Sequence, residues 1–93
     1  MKDQQRLSYI TNSFVKREEF PTLRGIISKW EGDTLKLSFF FDGEISKNMK
    51  EDASVLATEI LAQFPEGFLE EKYIRLDTPQ SLPNSNFLSY IRK

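Results

Sequence analysis

The sequence contains neither cysteine nor histidine, and it has only four glycines and four prolines among 93 residues. Without cysteine, a disulfide framework, a thiolate metal site and a cysteine nucleophile are excluded. Without histidine, the chain lacks the commonest general base and the commonest metal ligand. It also lacks the glycine-rich phosphate-binding motifs and the nucleophile motif of hydrolases. We therefore expect a protein that is not an enzyme and that binds no cofactor and no metal ion.

Long hydrophobic runs are also missing. A membrane span needs roughly 18 consecutive apolar residues, whereas the longest apolar run, residues 37–41, is interrupted by Ser38. Residues 1–6 are polar and lead into no apolar signal-peptide core. These features predict a cytoplasmic protein without a membrane partner, and the length predicts a single domain over residues 1–93.

The net charge of −1 conceals an uneven distribution along the chain. Residues 31–72 hold four Lys/Arg and ten Asp/Glu, a charge of −6, while the segments on either side are positive. Two interpretations are open: these carboxylates are ordinary turn and helix-surface residues, or they form an acidic surface that steers a basic partner. Nucleic acid is not expected as a partner, because no stripe of Lys/Arg interleaved with aromatic residues is present.

The hydrophobic pattern predicts an α+β fold. Apolar residues at helical spacing predict helices over residues 4–17 and 47–64, with Asp3 and Ser46 as N-caps. Alternation predicts strands over residues 23–30, 34–41, 69–77 and 87–92, and the Asp-Gly turn at residues 42–43 allows a short extra strand at 44–45. We expect two helices packed on one face of an antiparallel sheet of four to five strands, in the order α-β-β-(β)-α-β-β.

Two pairs of carboxylates are the remaining candidates for chemistry. The pairs Asp42 with Glu44 and Glu51 with Asp52 have the residue types for acid/base catalysis or for binding a divalent cation. However, Asp42 and Glu44 flank the glycine of a hairpin-type turn, and Glu51 and Asp52 fall on a solvated helix turn. A structural role explains both pairs better than a catalytic one.

Two aromatic residues are candidates for contact with a protein partner. Phe40 belongs to the β-strand face that otherwise carries polar residues, and Trp30 ends its strand beside an acidic turn. If helices cover the other face of the sheet, these two side chains lie on the open face or its edge, where exposed aromatic residues commonly anchor interfaces. The alternative is that they pack at the margin of the core or beneath the loop that contains Pro79 and Pro83.

Three stretches of the sequence together resemble small bacterial immunity proteins. They are Leu37-Ser38-Phe39-Phe40-Phe41-Asp42-Gly43-Glu44-Ile45, Glu51-Asp52-Ala53-Ser54-Val55-Leu56-Ala57-Thr58-Glu59-Ile60 and Tyr73-Ile74-Arg75-Leu76-Asp77. These proteins neutralise the toxins of contact-dependent growth inhibition and related polymorphic toxin systems. The resemblance covers roughly residues 35–78. It implies a non-enzymatic cytoplasmic protein that binds a toxin domain and blocks its active site. Toxins of this kind are often nucleases with basic clefts, which would suit the acidic middle segment.

Two hypotheses for the function are therefore carried forward. The first is an immunity protein that binds a cognate toxin domain with a basic cleft, and the alternative is a small adaptor or subunit that binds another protein constitutively. In either case the predicted partner-binding residues are Asp42, Glu44, Phe40, Glu51, Asp52, Trp30, Glu31 and Asp33.

Overall fold

The helices and strands of the protein largely follow the periodicity of its sequence. The computed structural model describes residues 3–64 and 66–92. Within these stretches the elements are α1 (Gln4–Phe14), a short 3₁₀ helix (Arg17–Glu19), β1 (Leu23–Glu31), β2 (Thr34–Phe41), α2 (Lys47–Leu61), β3 (Phe68–Arg75) and β4 (Leu88–Ile91). The predicted α+β class, with two α-helices and four strands, is confirmed.

Both α-helices begin at the predicted caps. The Asp3 carboxylate accepts a hydrogen bond from the backbone N–H of Arg6, and the Ser46 hydroxyl accepts one from that of Met49, each at 3.1 Å. Such caps satisfy backbone donors that have no partner inside the first turn. Each helix ends three residues before its predicted end. Neither α-helix of the described residues is long and apolar enough to cross a membrane.

The strands form one mixed sheet in the order β3-β2-β1-β4. β1 pairs antiparallel with β2 and with β4, whereas β2 and β3 are parallel. The prediction of a purely antiparallel sheet is therefore wrong for β3. The cause is α2, which carries the chain back along the sheet, so that the Phe68 N–H donates to the Asp33 carbonyl beside the start of β2. Parallel neighbours require a crossover connection of this kind.

The optional extra strand at residues 44–45 does not form. The Asp42-Gly43 turn does not close a hairpin, because the Gly43 N–H donates to the Asp77 carboxylate at 2.7 Å. The chain then reaches Ser46, which already caps α2. The segment between β2 and α2 thus turns the chain off the sheet and into the helix.

One row of side chains on β2 forms the centre of the core. Leu35, Leu37, Phe39 and Phe41 are each at most 1% exposed. The helices contribute Leu7, Ile10, Ala53, Leu56, Ala57 and Ile60 to the same cluster. The prediction that the apolar face of α2 packs on this row is confirmed for Leu56 and Ile60, and Phe64, just after α2, is partly buried against the cluster.

Buried hydroxyl groups attach α1 to the sheet. Thr11 Oγ1 donates to the carbonyl of Leu7 at 2.8 Å and lies 3.2 Å from Ser28 Oγ on β1. The Ser28 hydroxyl is in turn hydrogen-bonded to that of Ser89 on β4. Thr11 and Ser28 are both fully buried, and hydrogen bonding removes the cost of burying their polar atoms.

Candidate protein-binding surface

The Asp42–Gly43–Glu44 turn is joined to the segment that follows β3. Gly43 adopts a φ of 84°, a conformation that favours glycine. The Asp42 carboxylate accepts hydrogen bonds from the backbone N–H and the hydroxyl of Thr78, each at 3.2 Å. Glu44, by contrast, is exposed. Asp42 therefore holds two loops together, and Glu44 is the carboxylate that this turn presents to solvent.

An arginine–aspartate ion pair lies beside the same turn. Arg75 Nε donates to both carboxylate oxygens of Asp77, at 3.1 Å each. These bonds, together with the one from the Gly43 N–H, hold the pKa of Asp77 below its ordinary value. The sequence analysis missed this arrangement. The two-residue spacing of Arg75 and Asp77 is a signal for the ion pair, but the bond to Gly43 joins residues 34 positions apart.

The Glu31–Gly32–Asp33 turn lies at the opposite end of the β1–β2 hairpin, as predicted. Lys36 Nζ is 3.1 Å from Glu31 Oε2 and 3.3 Å from Glu70 Oε2. The hydrogen bond and the positive charge of Lys36 lower the pKa of Glu31. Glu31 is therefore partly compensated, and Asp33, the other carboxylate of this turn, is exposed.

Trp30 does not lie on the open face of the sheet. It pairs with Leu35, whose side chain belongs to the helix-covered face. The indole packs edge-on against the Phe64 ring, with the ring centroids 5.2 Å apart, and is half-buried. Alternation along β1 explains this placement, because Ile26 and Ser28 are buried on the same side. Trp30 thus packs at the margin of the core, the alternative left open by the sequence.

Phe40 does face away from the helices, but it is only 5% exposed. Its neighbours in register are Gly25 on β1 and Ile74 on β3. Leu82, from the loop between β3 and β4, lies over Gly25, where a Cβ would be 3.1 Å from its Cδ1. Phe40 is therefore not exposed, and it packs beneath the proline-containing loop, the alternative left open by the sequence.

Tyr73 and Tyr90, the other aromatic residues on late strands, are also engaged in packing. The Tyr73 ring stacks on Phe39, with a centroid distance of 5.6 Å and an interplanar angle of 12°. Tyr90 is 4% exposed and belongs to the core. Neither tyrosine is therefore available as an exposed aromatic contact on the open face of the sheet.

Glu51 and Asp52 are both exposed on the second turn of α2. Consecutive helical residues are about 100° apart around the axis, so the two carboxylates point in different directions. Asp52 borders a groove between α1 and α2. Glu44 lies three residues before the helix, and the exposed Lys47 and Lys50 lie between it and this pair, so the entry to α2 carries three carboxylates and two amines at the end of the sheet away from Asp33.

The carboxylate pairs do not assemble a metal site in the described part of the chain. No group of three or more His, Cys, Asp or Glu residues there is arranged to hold a metal ion. Asp42 and Glu44 are turn residues, and Glu51 and Asp52 are helix-surface residues. These are the structural roles that the sequence analysis favours for both pairs.

A polar network links α2 to β3 and was not evident in the sequence. The Ser54 hydroxyl donates to Glu71 Oε2 at 3.1 Å, and the Tyr73 hydroxyl donates to the other oxygen of the same carboxylate. Burial, followed by the interaction with Glu71, raises the pKa of Tyr73 to about 12. The relevant signal is the i, i+2 spacing of Glu71 and Tyr73, which places both on the helix-covered side of β3.

Alkaline titration, followed by ultraviolet absorbance, is expected to show that Tyr73 ionises at about pH 12. An unfolded tyrosine has a pKa of about 10. The folded state holds this proton more tightly, so the stability that Tyr73 contributes is complete below about pH 10 and lost as the pH rises toward 12. Tyr73→Phe should remove both the late ionisation and this part of the alkaline destabilisation. An alkaline transition unchanged by the substitution would contradict the assignment.

Comparison with protein families places most of the chain in a known family. The family model described as "MafI2 immunity protein" matches residues 17–93, the segment that runs from the 3₁₀ helix through β4. Comparison with curated proteins and comparison with solved structures give no match.

Proposed function

Because the chain belongs to the MafI2 immunity protein family, we propose that it binds one cognate bacterial toxin domain and neutralises it by blocking the active site of the toxin. The observation that carries this proposal is the family match over residues 17–93, which includes the whole sheet and α2. The family also agrees with the class of protein that residues 35–78 resemble.

In this proposal the protein acts by binding and not by catalysis. The absence of both histidine and cysteine removes the usual nucleophile–base pairs. Asp42 is engaged with Thr78, and Asp77 with Arg75, so two of the carboxylates near the β2–α2 turn already have structural roles. The absence of cysteine also suits a reducing compartment, and we place the interaction in the cytoplasm.

The chemistry of the surface favours a basic partner. Residues 31–72 carry a charge of −6, and where the chain enters α2 the exposed Glu44, Glu51 and Asp52 outnumber the exposed Lys47 and Lys50. A toxin whose substrate is nucleic acid needs a positively charged cleft, so a nuclease domain is the proposed target. Asp33 lies at the other end of the sheet and would contact only a partner that extends along the molecule.

Co-expression with the toxin domain encoded beside the gene tests the proposed function. Cells that produce the toxin domain should survive when they also produce this protein, and the two purified proteins should form a complex that weakens as salt is added. A non-cognate toxin domain of similar charge is the control and should not be neutralised. If neither protection nor a complex is observed with the neighbouring toxin, the protein is not its immunity protein, and a constitutive adaptor becomes the better hypothesis.

Glu44→Lys is expected to lower the rate of association with the toxin by about two- to fivefold at low salt, because exposed charges mainly steer encounter. The thermal midpoint should hardly change, since Glu44 is exposed. Asp42→Lys is the informative comparison: it also removes the hydrogen bonds to Thr78 and should lower the thermal midpoint. Stopped-flow kinetics at two salt concentrations would measure the association rate of each variant. Equal association rates for wild type and Glu44→Lys at low salt would show that this turn is not part of the interface.

A further inference from the structure

A groove of about 640 Å³ lies between the two helices. Its floor is formed by Phe20 and Leu56, which are 6% and 4% exposed, with the half-buried Phe14 beside them. Val55 stands at its side and is 60% exposed. The volume falls within the range of roughly 300–1,000 Å³ that is typical of binding pockets. We call this feature the helix groove, and it offers an apolar surface to solvent on the side of the molecule away from the open sheet face.

The rim of the helix groove is predominantly acidic. Glu19 lies on one side, Asp52 and Glu59 on the other, and Lys16 is the basic residue among those that line it. All four side chains belong to exposed residues. Because positions 52, 55 and 59 of α2 are three and four residues apart, the two carboxylates and Val55 share one face of the helix. The helix groove therefore combines an apolar floor with a net charge of −2.

Helix stability does not explain why position 55 of α2 is a valine. A β-branched residue loses side-chain freedom in a helix, and Ala, Leu, Lys or Glu would be more favourable at an exposed helical position. Residues of α2 that pack in the core, such as Ala53 and Ile60, are fully buried, whereas Val55 is not. Val55 adjoins the apolar floor of the helix groove and so extends a contiguous apolar surface. Such a surface, flanked by carboxylates, is what a partially apolar, positively charged ligand would contact.

On the basis of the function proposed above, we propose that the helix groove is where the toxin docks. It receives a segment of the toxin domain in which a large apolar side chain is flanked by Lys or Arg. The apolar side chain packs on Val55 and Phe20, and the basic side chains pair with Asp52 and Glu59. The charge of the rim opposes anionic ligands and complements the positive cleft expected of a nuclease.

Val55→Lys and Glu59→Lys, measured separately for binding to the purified toxin domain, test this docking site. Each should raise the dissociation constant at least about tenfold, because Val55→Lys places a charge in the apolar part of the contact and Glu59→Lys sets like charges opposite one another. Both residues are exposed, and a lysine at position 59 is favoured near the C-terminal end of a helix, so thermal unfolding should be little changed. Glu70→Lys makes the same change of charge as Glu59→Lys, but on the open face of the sheet, and should alter binding less than threefold, as expected for a remote exposed charge.

The outcomes distinguish the docking site from the function itself. Selective loss of binding and of cell protection in the two groove variants supports the helix groove. If these variants bind and protect as the wild type does, or if Glu70→Lys weakens binding as strongly as they do, the helix groove is not the docking site while the immunity function stands. If the wild-type protein neither binds nor protects, the proposed function fails and the docking site fails with it.

Discussion

Replacement of Ile60 by alanine is expected to lower the free energy of unfolding by about 2–5 kcal/mol. Ile60 is 0% exposed on the inner face of α2 and belongs to the same cluster as Leu35, Leu37 and Phe39 of β2. Removing its outer atoms loses hydrophobic transfer energy and leaves a cavity that the packed sheet closes only in part. Urea denaturation followed by circular dichroism would measure the shift in midpoint.

Val55→Ala is the matched control for this experiment, because Val55 lies on the same helix but is 60% exposed. Its effect should stay within about 0.5 kcal/mol, as for most surface substitutions. If Ile60→Ala leaves the denaturation midpoint where it is in the wild type, the face of α2 that contacts the sheet has been assigned wrongly.

Phe40→Ala is expected to destabilise the fold by about 3–5 kcal/mol, the range for buried phenylalanine. This result separates the two roles considered for Phe40. An exposed interface anchor would lose affinity for the partner with little change in stability, whereas a residue that is 5% exposed and packed between β1 and β3 should mainly change stability. Chemical denaturation of the protein without its partner is therefore the decisive measurement.

Phe68→Ala provides the comparison for Phe40. Alternation along β3 places Phe68 on the same sheet face as Ile74, the neighbour of Phe40, yet Phe68 is 72% exposed. Its replacement should change stability by less than about 1 kcal/mol. Similar small effects at both positions would show that the loop carrying Leu82 does not cover Phe40 in solution.

Several features could be predicted from the sequence because their signals are local. The alternation of residues 34–41 identifies β2 and its buried row, and the spacing of Ala53, Leu56, Ala57 and Ile60 identifies the inner face of α2. Ser46 marks the start of that helix because a hydroxyl at the N-cap satisfies a backbone donor three residues later. The class of protein could also be predicted from residues 35–78, and the family match agrees with it.

The candidate site was predicted less well, because exposure and pairing of charges depend on residues distant in the chain. Of the acidic residues, Glu44, Glu51, Asp52 and Asp33 are exposed as expected. Glu31 is paired with Lys36, and Asp42 is bound to Thr78, 36 positions away. Such pairs produce no periodic pattern in the sequence, so they could not be predicted from it. The helix groove was missed for the same reason, since it exists only where α1 and the following segment meet α2.

The sequence by itself determined which residues form the helices, which form the hairpin, and which faces of them are apolar, because these properties depend on neighbours within one or two turns. The tertiary structure alone decided three further matters. It set β3 parallel to β2, since the direction of a strand after a crossover depends on where the helix packs. It buried Phe40, since a loop more than 35 residues later in the chain returns over that face. It also joined the C-terminal end of α1, the segment after it and the middle of α2 into one groove, since only packing brings residues 13–20 against residues 52–59.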